Sequence, residues 1–169
     1  MKTEAAKRLT MRKPSEEDGA AMWKLVRDSG VLDQNSAYAY LMYCKFFADT
    51  CVIAEWEDEV VGFVTAFCPP TAPDTVFVWQ IGVNKQQRGM GVGSKMLREL
   101  LQRESCKQVR YLEATVSPSN LPSASLFRKA ARELGAPCEV TECFPADLFP
   151  GETHETELTF RIGPFKGKQ

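Results

Sequence analysis

Residues 76–101 read VFVWQIGVNKQQRGMGVGSKMLRELL. The stretch 76–84 is rich in β-branched and aromatic side chains and predicts a buried strand. A short polar turn follows, then Arg88, Gly89, Gly91 and Gly93, then an amphipathic helix. Strand, glycine-rich turn and helix N-terminus together make a site for an anion. Glycine lets the backbone approach closely, and the N–H groups of a first helical turn have no intrahelical partner. A phosphorylated ligand is the expectation. A glycine-rich turn without a ligand is the weaker alternative, because three glycines in five residues stand beside an arginine and open a strong helix.

Two phosphate loops are excluded by residue order. A nucleoside-triphosphate loop requires glycine, four residues, then Gly-Lys-Ser/Thr. Here Gly93 is followed by Ser94 and only then by Lys95. A dinucleotide loop requires G-x-G-x-x-G, and counted from Gly89 the sixth position is Ser94. What remains is Arg88-Gly-Met-Gly91-Val-Gly93, an R-x-x-G-x-G pattern. It resembles the pyrophosphate loop of the Gcn5-related N-acetyltransferase superfamily, whose members bind acetyl-coenzyme A.

The whole chain suits such a fold. Its 169 residues are enough for one core, and residues 7–164 are expected to form a single domain. A hydrophobic content of 44% and a charged content of 25% are those of a globular chain. The net charge is −1 with basic residues dispersed, which gives no footprint for nucleic acid or a membrane surface. Apolar runs are too short to span a bilayer, and the first residues lack the apolar core of a signal peptide, so a cytoplasmic location is expected. Six cysteines without C-x-x-C spacing predict reduced, mostly buried thiols. With His154 as the only histidine and no cysteine pair near it, no metal site is expected.

Outward from the central stretch, the pattern predicts an edge strand over 8–13 and a helix to about residue 28, opened by Ser15 and Asp18 as a capping box. Ser36 caps a second, aromatic-rich helix to about residue 47. Strands over 51–56 and 60–67 form a hairpin about the turn 57–59. After the helix 91–104 come a strand over 110–116, parallel to the 76–84 strand, and a helix over about 122–134 ended by Gly135. Strands over 138–143 and 155–162 close the chain. Only the ends, residues 1–6 and about 165–169, look loose. The order βααββ–βα–βα–ββ predicts an α/β (α+β) fold: a mixed, mostly antiparallel sheet of about seven strands flanked by four helices.

That order matches the acetyltransferase superfamily along nearly the whole chain. Asn120-Leu-Pro-Ser123-Ala-Ser-Leu126-Phe127-Arg-Lys129 resembles the superfamily's N-x-x-[SA]-x-x-L-Y-x-K segment. The tyrosine there protonates the leaving thiolate in many relatives; this chain has Phe127, which has no proton to give. Further stretches resemble the L-2,4-diaminobutyrate acetyltransferases of ectoine synthesis: LDQNSAYAY over 32–40, FVWQ over 77–80, Pro118-Ser119-Asn120, ELGAPC over 133–138, and ETELTFRIGP over 155–164. The resemblance implies a homodimer that moves acetyl from acetyl-coenzyme A to the 4-amino group of L-2,4-diaminobutyrate. An acetyltransferase for another small amine, or a non-catalytic acyl-coenzyme A sensor, would carry the same glycine loop.

Candidate site residues follow from this resemblance. Arg88, Gly89, Gly91, Gly93 and Ser94 would hold the pyrophosphate. Ile81, Gly82 and Val83 would offer backbone groups to the pantetheine arm, and Asn120 and Ser123 would touch the coenzyme from its other side. Asp33 and Glu157 would receive ammonium groups. Each also has a plainer account, Asp33 as a turn carboxylate and Glu157 as one acid on a solvated strand face. Strand alternation puts Glu155 on the same face as Glu157, so pattern cannot choose between them; the resemblance selects Glu157. Trp79 would wall the amine pocket, where the bland alternative is core. Tyr38, half core and half site, would bind the substrate carboxylate or supply the proton that Phe127 cannot. His154 has a side chain whose ordinary pKa suits proton transfer, although a loop histidine is more often simply exposed. Thr115 is a further substrate-side candidate. Glu157, Tyr38 and His154 are the catalytic candidates.

Overall fold

The β2–β3 hairpin, Val52–Trp56 and Glu59–Phe67, turns on two residues. Glu57 and Asp58 have φ of 50° and 65°, and Trp56 pairs with Glu59. Two successive left-handed residues make the turn whose twist matches that of the strands. The turn is therefore one residue shorter than the sequence suggests, because Glu59 already belongs to the strand. The computed structural model describes residues 8–166 of the chain. These divide into two units, 8–65 with 80–100 and 66–79 with 101–166.

In the first unit β1 (Leu9–Arg12) runs antiparallel to β2, with Leu9 opposite Trp56 and Arg12 opposite Ile53. Residues 61–66 of β3 are buried without interruption, as expected of a strand covered on both faces. The helices supply both covers. From α3 (Val92–Leu101), Met96 packs on Gly62; from α1 (Gly19–Ser29), Leu25 packs beside Gly82 and Phe63. Gly82 lies on β4 (Thr75–Val83). A Cβ there would stand 2.9 Å from Phe63 Cε1, 3.0 Å from Leu25 Cδ2 and 3.2 Å from Leu32 Cδ1. Gly82→Ala is therefore expected to cost about 1–3 kcal/mol of stability through overpacking, measurable as a lower urea midpoint with an unchanged slope.

The start of α1 follows its sequence signal. The Asp18 carboxylate accepts the Ser15 N–H at 2.7 Å, and a short 3-10 turn over Glu16–Asp18 leads into the helix. Arg12 reaches the same carboxylate with both terminal nitrogens, at 2.7 and 2.8 Å, and its Nε donates to Glu55 on β2 at 2.8 Å. The Arg12 hydrogen bonds hold the Asp18 carboxyl below the usual carboxylate range against the opposing effect of burial. A depressed folded pKa contributes stability that is present above the unfolded value, near ~4, and lost as pH falls through the folded one. Asp18→Asn is thus expected to flatten the fall in stability below about pH 4, read from urea midpoints across an acid pH series.

In the second unit the first part of β4 runs parallel to β5 (Tyr111–Val116), as expected, from Thr75 opposite Tyr111 to Val78 opposite Ala114. β7 (Glu157–Ile162) lies antiparallel to both β5 and β6 (Cys138–Phe144). α4 (Leu121–Glu133) ends before Gly135, whose φ is 60°. The strand order is β1-β2-β3-β4-β5-β7-β6, a seven-stranded mixed sheet with α1, α2 (Ala37–Phe46), α3 and α4. Two further expectations change. β7 begins at Glu157, so Glu155 lies before the strand and alternation never applied to it. Phe165 is buried and its N–H donates to the Arg110 carbonyl at 2.9 Å, so this end is docked there, not loose. Residues 1–6, also expected loose, lie outside the described residues, as do 7 and 167–169.

Candidate active site

The glycine loop is built from its own turn chemistry. Asn84 Oδ1 accepts the Gln86 N–H at 3.0 Å and opens a short 3-10 turn over Lys85–Gln87. Arg88 is extended, exposed, and donates from Nε to the Val83 carbonyl at 3.3 Å. Gly89 and Gly91 then adopt φ of 80° and 75°, where only glycine is at ease. A Cβ on either would meet no protein atom within 4 Å. Backbone conformation, not crowding, demands these glycines, and the space beside them is open to a ligand. Gly93 and Ser94 lie in the first turn of α3, which starts at Val92, one residue later than expected. Their N–H groups are among those a helix cannot pair internally, and the helix dipole favours an anion there. Along the end of β4, Ile81 and Val83 are half-buried and Gly82 is buried.

The loop between α1 and α2 carries Asp33, exposed, with its carbonyl accepting from Gln80 Nε2 at 3.0 Å. Ser36 caps α2 by accepting the Tyr38 N–H at 3.1 Å. Tyr38 is 68% exposed, so it is not the half-core residue expected; Tyr40 is the buried tyrosine. Two residues along a helix is roughly 200° around it, so only one of the pair can face inward.

In the second unit Asn120 caps α4, its Oδ1 accepting the Ser123 N–H at 3.2 Å. Asn120 and Ser123 thereby shape the start of the helix, and both are half-buried. Phe127 is 2% exposed, a core residue with no acid function. Trp79 is half-buried on β4, not core. Thr115 is half-buried on β5 opposite Thr159 of β7.

His154 and Glu157 come together. The imidazole stacks on Phe149 with centroids 3.6 Å apart and planes 8° from parallel. Its Nδ1 is 2.6 Å from the Glu155 carbonyl, and its Nε2 is 4.0 Å from a Glu157 carboxylate oxygen. A carbonyl only accepts, so Nδ1 carries the proton of the neutral ring and Nε2 keeps its lone pair on the Glu157 side. Glu155 is exposed and accepts a short hydrogen bond from Ser119 Oγ. The structure separates the two acids that pattern could not. Glu155 braces a turn, while Glu157 stands half-buried beside the imidazole.

Three contributors were missed by the sequence reading: Phe149, Tyr40 and Gln80. Only Gln80 left a signal, since a glutamine inside an apolar strand must find hydrogen-bond partners. It finds them in Asp33 and in the Tyr40 hydroxyl, which donates to its Oε1 at 2.7 Å.

The family described as the Acetyltransferase (GNAT) family matches residues 20–131. The chain is 59% identical to an L-2,4-diaminobutyric acid acetyltransferase of Halalkalibacterium halodurans over 92% of this chain and 82% of that protein. It is 56% identical to one from Shouchella clausii, over 94% and 88%. Among solved structures it resembles the diaminobutyrate acetyltransferase EctA of Paenibacillus lautus, in complex with L-2,4-diaminobutyric acid and coenzyme A. The TM-score is 0.92 at 44% identity, covering 97% of this chain and 99% of that one. A more distant match, Ard1 of Thermoplasma volcanium, has a TM-score of 0.71 at 16% identity, over 92% of this chain and 97% of that one, and shows the fold alone.

Proposed function

The chain belongs to the acetyltransferase (GNAT) family and, within it, to the L-2,4-diaminobutyric acid acetyltransferases; on that premise we propose that it transfers acetyl from acetyl-coenzyme A to the 4-amino group of L-2,4-diaminobutyrate. The carrying observation is the full-length likeness to an enzyme structure bound to diaminobutyric acid and coenzyme A. The open space beside Gly89 and Gly91 suits a pyrophosphate, and acetyl-coenzyme A supplies the acetyl group as a thioester.

The proposed division of labour gives the pyrophosphate to the backbone of Arg88, Gly89, Gly91, Gly93 and Ser94. The pantetheine arm falls to the backbone of Ile81, Gly82 and Val83, and Asn120 and Ser123 at the α4 N-terminus serve as further coenzyme contacts. Asp33 and Glu157 receive the substrate's ammonium groups, with Trp79 and Thr115 shaping the pocket. An alkylammonium titrates near ~10, so the attacking amine must lose a proton first. His154 Nε2, 4.0 Å from a Glu157 carboxylate oxygen, is the proposed acceptor. Tyr38, exposed and hydroxyl-bearing, is the proposed donor to the departing thiolate, because Phe127 cannot serve. Tyr38→Phe is expected to lower kcat by about 10²–10⁴-fold; wild-type turnover would remove Tyr38 from this role.

The reading extends to a cytoplasmic homodimer. Free thiols at all six cysteines suit a reducing compartment, and exposed Leu121, Val140, Phe144 and Leu148 in the second unit suit a subunit contact. Light scattering on a size-exclusion column reads the mass directly. No helix among the described residues is long and apolar enough to cross a membrane.

A thiol-release assay against a panel of amines tests the substrate. Diaminobutyrate should exceed 1,3-diaminopropane in kcat/KM by roughly 30- to several-thousand-fold, the cost of losing a buried charged contact. Equal use of the two would replace this reading with a general small-amine acetyltransferase.

A further inference from the structure

Asp33 sits on a loop, yet its backbone is tied from several directions. Gln80 on β4 is 9% exposed and uses both ends of its amide: Nε2 donates to the Asp33 carbonyl at 3.0 Å, and Oε1 accepts the Tyr40 hydroxyl at 2.7 Å. Asn35 Nδ2 donates to the same Asp33 carbonyl at 3.1 Å. Tyr40 is fully buried. Before Asp33, Ser29 Oγ accepts the Val31 and Leu32 N–H groups at 3.3 and 3.2 Å. Leu32 itself rests where Gly82 has no side chain.

A leucine would fill the Gln80 position without any polar group to satisfy. A buried amide is tolerable only when bonded, and this one is bonded to a helix on one side and to the Asp33 backbone on the other. Resting on the functional reading above, we propose that Gln80, held by Tyr40, is a positioning residue that fixes the Asp33 carboxylate for the substrate ammonium. A loop held in place before binding has less freedom to lose when the amine arrives.

The test combines kinetics with amide hydrogen exchange on the full chain. Gln80→Leu is expected to raise KM for diaminobutyrate roughly tenfold or more, the effect of an unmade buried hydrogen bond. KM for acetyl-coenzyme A should stay at its wild-type value, and exchange at residues 31–36 should accelerate. Tyr40→Phe, which leaves the Gln80–Asp33 bond in place, should do the same to a smaller extent, and it serves should Gln80→Leu fail to fold. In an Asp33→Asn background Gln80→Leu should add no further loss. Independent, additive losses would overturn the proposal, as would accelerated exchange with an unchanged KM for diaminobutyrate, or unchanged exchange. If exchange accelerates while the wild-type chain does not acetylate diaminobutyrate, the substrate assignment fails and the loop clamp stands.

Discussion

Gly91→Val is expected to abolish measurable acetyl-coenzyme A binding while leaving a folded protein. Gly91 has φ of 75°, a conformation that a β-branched residue avoids, and a Cβ there would point into space that holds no protein atom within 4 Å. The fold therefore loses little by contact, whereas a phosphate approaching the loop meets the new side chain. Each backbone N–H bond to a charged group is worth about 1.5–3 kcal/mol, or roughly 10- to 150-fold in affinity, and more than one is at stake. Titration calorimetry with acetyl-coenzyme A, run beside a thermal melt, checks it. Wild-type affinity in a folded variant would remove the loop from the coenzyme site.

Glu157→Gln and Asp33→Asn are expected to lower kcat/KM for diaminobutyrate by roughly 30- to several-thousand-fold while leaving coenzyme affinity intact. The two effects separate because the coenzyme is proposed to bind the glycine loop and the amine to bind the carboxylates, which are different residues. Glu157→Gln should carry the larger loss, since it also takes the negative charge from beside His154 Nε2, 4.0 Å away. Steady-state kinetics with each substrate varied in turn is the measurement. A loss confined to coenzyme affinity would show that the carboxylates were assigned the wrong ligand.

Much of this architecture was legible because it rests on local rules. The strand, the left-handed glycines and the helix of residues 76–101 are set by short-range conformation, and so are the Ser15–Asp18 and Ser36 caps. Asn120 was read as a coenzyme contact, and the structure adds that it caps α4, a role its place before Leu-Pro permits. Elsewhere the answer depended on a boundary or on a distant partner. Glu155 and Glu157 were indistinguishable only if both lay in one strand; the strand starts between them. Tyr38 and Tyr40 differ by two positions in an aromatic-rich helix, and only packing against β4 decides which is buried. The Tyr40–Gln80–Asp33 connection joins residues 40 and 47 positions apart, beyond the reach of any periodicity. The stacking of Phe149 on His154 comes from a loop that carries no pattern at all.

The central claim is the position of the acetyl group. The full chain is to be incubated with acetyl-coenzyme A and L-2,4-diaminobutyrate, and the product assigned by two-dimensional NMR. The account predicts acetyl on the 4-amino nitrogen, with the 2-amino and carboxylate groups untouched. Acetyl on the 2-amino nitrogen, or an even mixture of the two, would contradict it.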